Sequence, residues 1–80
     1  MIDRRQYSRI LTEERARILC NYRSVLACII RDISAGGACL ELDPTLMIPQ
    51  EFDLVPDQGD NAQACRVVWR ASDRVGVTFN

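Results

Sequence analysis

Residues 25–42 read VLACIIRDISAGGACLEL, and the fold is decided there. Val25 to Ile30 is an unbroken apolar run, as expected of a central strand or of one covered from outside its sheet. Ser34-Ala35-Gly36 then supplies turn-forming residues, and Gly37 to Leu42 resumes an apolar run. Strand, tight turn and strand together form the unit of an antiparallel sheet.

Outward from this hairpin the same grammar repeats. Strand-like runs cover 15–22, 25–33, 37–42, 51–55, 62–70 and 74–79. They are separated near Arg23-Ser24, at Ser34-Ala35-Gly36, through Pro44 to Pro49, through Pro56 to Asn61, and at Ser72-Asp73. In the first run Ala16, Ile18, Cys20 and Tyr22 share one face, opposite Arg15, Arg17 and Asn21. In the last, Val75, Val77 and Phe79 oppose Arg74 and Thr78. Six short strands with no sustained helical period predict an all-β domain, a six-stranded antiparallel barrel or sandwich spanning residues 13–80. Residues 1–12 lack a period and read as a flexible or loosely docked arm, with Glu13 and Glu14 as a solvated segment before the first strand.

Composition narrows the function. Eighty residues make one small domain with little room for a deep cleft. No run approaches the roughly eighteen apolar residues of a membrane span, and no signal-peptide core follows Met1, so the chain reads as cytoplasmic. Cys20, Cys28, Cys39 and Cys65 sit inside apolar runs with no C-x-x-C pair, and the chain has no histidine. They therefore read as reduced, mostly buried side chains, neither disulfides nor zinc ligands. With no nucleophile beside a base and no metal cluster, the sequence does not describe an enzyme. Asp57 and Asp60 belong to a turn without the ligand spacing of a calcium loop.

Charge points to a small anion. All ten basic residues are arginine, the side chain suited to bidentate recognition of phosphates and guanine edges. Residues 1–40 hold seven arginines against four acids and residues 41–80 three against seven, so the positive field lies near the arm. A net charge of -1 and a pI near 5.2 argue against a nucleic-acid backbone, which selects a basic surface and, for an RNA-binding barrel, a series of surface aromatics.

Two segments combine these properties. Arg4, Arg5 and Arg9 place three guanidinium forks on the arm, and Asp32-x-Ser34-x-x-Gly37 sets a carboxylate, a hydroxyl and a glycine turn between two strands. A carboxylate such as Asp32 can accept from guanine N1–H and N2–H. The same hexamer is also an ordinary Asx or Ser turn. The R-x-x-x-R spacing is less specific, since it recurs at Arg66/Arg70 and Arg70/Arg74.

Arg5-x-x-x-Arg9 followed by Asp32-x-Ser34-x-x-Gly37 resembles the two-part signature of PilZ domains, bacterial receptors for cyclic di-GMP. Val67-Val68-Trp69-Arg70 and Val75-Gly76-Val77-Thr78-Phe79 resemble that family's closing strands. The resemblance implies a PilZ-type β-barrel in which Arg5 and Arg9 grip guanine and phosphate, Asp32 and Ser34 hold a guanine edge and nearby phosphate, and Gly37 permits close approach. It also implies that Arg4, just before the motif, favours two intercalated ligands per chain. Tyr7 could cover a bound guanine, and Trp69 is read as barrel core or rim with stacking as the alternative.

Family members commonly carry a helix after the last strand. Here that helix is expected to be absent, its place taken by an oligomer partner or left as an exposed patch. The implied function is a receptor that binds cyclic di-GMP, needs no cofactor and signals to a downstream protein. The alternative is a nucleotide-independent protein-interaction module.

Overall fold

The computed structural model describes residues 10–20, 25–59 and 61–80. Six strands follow one another along the chain: β1 (Ile10–Leu19), β2 (Val25–Ile33), β3 (Gly37–Glu41), β4 (Glu51–Pro56), β5 (Gln63–Arg70) and β6 (Arg74–Phe79). All their pairings are antiparallel, and they close in the order β1-β2-β3-β6-β5-β4, with β4 returning to β1. The all-β, six-stranded antiparallel barrel expected from the sequence is therefore the observed fold. Closure pairs the outermost strands, which removes free sheet edges wherever the ladder runs.

The core follows from alternation. Ile18, Ile30, Leu40 and Leu54 point inward and are essentially inaccessible, joined by Val67, Val75 and Val77. Burying an aliphatic side chain of this size contributes about 1.5–3 kcal/mol relative to leaving it in water. Leu46 and Ile48, on the long β3–β4 connection, pack against the same cluster. That connection is started by Asp43, whose Oδ1 accepts from Thr45 N–H and Oγ1–H, each at 2.8 Å. Those two bonds favour the charged form and hold the Asp43 carboxyl below its ordinary range.

Two expectations about the start of the barrel change. β1 begins at Ile10, ahead of the predicted run at 15, so residues 10–12 are strand and Glu13 and Glu14 lie within it. Their partners explain this: Leu11 pairs with Asp32, and Glu13 reaches Arg31. The outer face of β2 is also less covered than its sequence suggests, since Val25 and Ala27 are exposed while Cys28 and Ile30 face inward.

Three strands carry one extra residue each. The register slips between Leu11 and Glu14 in β1, between Ile30 and Asp32 in β2, and between Val67 and Trp69 in β5. Such bulges break the alternation and re-aim the side chain that follows. Cys65 and Val67 face the core, so strict alternation would send Trp69 inward, but the bulge turns it to the outer surface at 47% exposure. The core reading of Trp69 is thus corrected. The bulge after Ile30 turns Asp32 outward in the same way, sparing the core an ionisable group.

Candidate functional site

The three bulges converge on one line across the barrel exterior. Leu11 on β1 opposes Asp32 on β2, Asp32 opposes Cys39 on β3, Cys39 opposes Gly76 on β6, and Gly76 opposes Trp69 on β5. Directly opposed residues point to the same face, and this face is the outer one because Ala38, Leu40, Val75 and Val77 beside them are core. Asp32 and Trp69, thirty-seven positions apart in sequence, thus flank a floor made of a thiol and a glycine. They line a common hollow of about 150 Å³.

Gly76 makes this arrangement possible. A Cβ there would overlap Nε1 and Cε2 of the Trp69 indole, so the ring lies directly over the glycine. The indole keeps one surface on the barrel while nearly half of the residue's area faces solvent, as a stacking platform requires. Asp32 also borders a second hollow of about 480 Å³, whose other walls are Leu11, Thr12, Glu13, Arg31 and Arg74. A roomier concavity, about 670 Å³, lies between β1, β2 and the Leu42–Pro44 turn. It mixes Arg15 and Arg17 with Glu41, Asp43, Asp57 and Asp73 and contains no motif residue, so volume alone does not identify the site.

Ser34 and Gly37 shape the β2–β3 turn. Ser34 N–H donates to the Gly37 carbonyl at 2.8 Å, its hydroxyl donates to the same oxygen at 3.4 Å, and Gly36 N–H donates to Ser34 Oγ at 3.3 Å. The Ser-turn geometry named as the alternative reading of the hexamer is therefore present. Gly37 makes its close approach to the barrel itself: a Cβ there would overlap the Val77 carbonyl oxygen, with Thr78 Cα 3.2 Å away. Arg4, Arg5, Tyr7 and Arg9 lie outside the described residues.

Arg31, Arg74, Cys39 and Gly76, which line these two hollows, were not read as site residues from the sequence. Cross-strand register brings them beside Asp32 and Trp69, and a single strand's sequence holds no signal for that. None of the four cysteines is in a disulfide, and Cys28, Cys39 and Cys65 are buried. Burial pushes the Cys28 thiol up to about 12 and the Cys65 thiol up to about 11, so neither is a thiolate nucleophile near neutral pH. Among the described residues no cluster of three or more histidine, cysteine, aspartate or glutamate side chains is arranged to hold a metal. No helix among them is long and apolar enough to cross a membrane.

The PilZ domain family matches residues 3–80. The chain belongs to the PilZ domain family. PilZ domains are in general non-catalytic receptors for cyclic di-GMP, and the closed six-stranded barrel is compatible with their fold. Comparison with curated proteins gave no match.

Proposed function

We propose that this PilZ domain is a cytoplasmic bacterial receptor that binds cyclic di-GMP on the outer row from Asp32 to Trp69. The observation that supports it is the juxtaposition, by register alone, of a carboxylate and an exposed indole across a floor of small residues. A carboxylate accepts from guanine N1–H and N2–H, a pattern adenine cannot offer. An indole stacks on either base, so Trp69 supplies affinity and Asp32 supplies selectivity.

The arm is tethered where it is needed. Arg9 is bonded to Ile10, whose partner is Ile33, adjacent to Asp32. A five-residue chain spans at most about 18 Å, so Arg5 as well as Arg9 has the reach to meet a ligand on this row. Their forks match the O6 and N7 acceptors of guanine and the phosphate oxygens, and each charge-assisted contact contributes on the order of 1–3 kcal/mol. Ser34 and Gly37 present the turn beside Asp32, and Tyr7 covers a base.

Arg4 adds a third guanidinium. It offsets the four phosphate charges of an intercalated ligand pair, giving two cyclic di-GMP molecules per chain. Ordering of the arm then changes a surface read by a downstream protein. Calorimetric titration with cyclic di-GMP, against cyclic di-AMP and GTP, tests this reading. Two sites specific for cyclic di-GMP are expected; no binding, or equal binding of all three nucleotides, would overturn the assignment.

A further inference from the structure

Beside the row of Asp32, two positions along β1, β3 and β6 and one position along the bulged β2, lies a second row, made of charge. Glu13 on β1, Arg31 on β2, Glu41 on β3 and Arg74 on β6 alternate in sign across the outer surface. Arg31 Nη1 meets Glu13 Oε2 at 3.1 Å and Arg31 Nε meets Glu41 Oε1 at 3.3 Å. Arg74 Nη2 faces the same Glu41 oxygen at 3.8 Å.

One carboxylate oxygen thus serves two guanidinium groups, and it serves the second poorly. A separation of 3.8 Å is beyond hydrogen-bond length, and like charges drawn to one oxygen repel. All four side chains are partly or largely exposed, from 31% for Arg31 to 77% for Glu13. Solvent-screened ion pairs of this kind contribute little and are readily exchanged.

Arg31 and Arg74 also border the 480 Å³ hollow that Asp32 shares; Glu13, paired with Arg31 and largely exposed, stands on its wall, and Glu41 holds both guanidinium groups from outside that lining. An anionic group joined to a base at Asp32 would enter that hollow, since two residues along a strand span only about 7 Å. A phosphate carries several oxygens and suits two converging forks better than a single carboxylate oxygen does.

We infer that Arg31 and Arg74 form a phosphate subsite beside Asp32, and that Glu41 is its resident counter-ion, displaced when a ligand phosphate arrives. The inference rests on the receptor reading for the identity of the ligand, but not for the chemistry of the subsite. It gives Glu41 an effect opposite in sign to that of a scaffold residue: its charge competes with the ligand.

The wild-type chain, Glu41→Gln and Arg74→Gln are titrated with cyclic di-GMP by calorimetry and with inorganic pyrophosphate by amide chemical shift, each after a melting curve shows the variant folded. Glu41→Gln should bind cyclic di-GMP about three- to tenfold more tightly and Arg74→Gln about tenfold more weakly, with a shallower dependence on salt. Pyrophosphate affinities should follow the same order. If Glu41→Gln is unfolded, Arg74→Gln and its salt dependence decide.

Wild-type binding of cyclic di-GMP with affinities unchanged by both substitutions overturns the subsite and leaves the receptor reading standing. Failure to bind cyclic di-GMP, with pyrophosphate affinities still diverging as expected, overturns the receptor reading and leaves the subsite. Weaker binding by Glu41→Gln, or no binding of either probe by any of the proteins, overturns the subsite.

Discussion

Gly37 and Gly76 are both glycines on adjacent paired strands, and both are places where no Cβ fits. What excludes the Cβ differs. At Gly37 the obstacle is the carbonyl of Val77, part of the barrel wall; at Gly76 it is the indole of Trp69, a side chain on the outer surface. A backbone group can yield only by separating β3 from β6, whereas a half-exposed indole can swing into solvent. The same residue type therefore serves the barrel wall at one position and the seating of the Trp69 indole at the other, and the motif glycine Gly37 is the one that serves the wall.

The largest expected effect breaks the fold side of this comparison. Gly37→Ala should destabilise the barrel by at least about 3 kcal/mol, a large share of what so small a domain has, so much of the protein would be unfolded at ordinary temperature. Urea unfolding followed by circular dichroism measures it. A midpoint equal to that of the unmodified chain would show that the strand pair can open without cost.

Binding tests the other side. Arg9→Ala should weaken cyclic di-GMP binding ten- to a hundredfold with the melting temperature unchanged, because each factor of ten corresponds to about 1.4 kcal/mol of lost contact. Equal affinity in the variant removes the arm from the mechanism.

Gly76→Ala should fall between the two. The methyl group displaces the indole, so affinity should drop about tenfold, near the lower to middle range for loss of a base–aromatic stack. Stability should change by no more than about 1 kcal/mol, and the emission of Trp69, the sole tryptophan, should shift to the red. A stability loss as large as that of Gly37→Ala would dissolve the distinction between the glycines.

The smallest effect is expected from pH, and it concerns the barrel interior, away from both glycines. Cys28 and Cys65 have their folded-state pKa values raised to about 12 and about 11 from an ordinary 9.0. Above pH 9 the unfolded chain loses these thiol protons while the folded chain retains them, so stability should fall as pH rises from about 9 to 11. Below pH 9 both states keep the protons and these thiols should contribute no slope. Urea midpoints from pH 7 to 10.5 check the sign, and Cys28→Ala should flatten the alkaline decline. A stability that rises over that range would contradict the buried position of the thiols.

How much of this was readable beforehand depends on how local the cause is. The bounds of β2 and β6 coincide with the runs predicted at 25–33 and 74–79, because side-chain alternation and turn residues act over a few positions. The same alternation misled at Trp69, which follows Cys65 and Val67 at the spacing of a core position. Glu13 and Glu14 look like a solvated lead-in until Arg31 and the β2 ladder claim them for β1.

The sequence by itself determined the strand content, the turn chemistry, the clustering of arginines near the N-terminus and the motif pair by which the family is recognised, since each is written in neighbouring residues. Only the closed barrel decided that Asp32 meets Trp69 across Cys39 and Gly76, and that Arg31 and Arg74 share Glu41. Those encounters depend on register between strands far apart in the chain. Register was set by three inserted residues whose cost and benefit appear only when the sheet closes on itself.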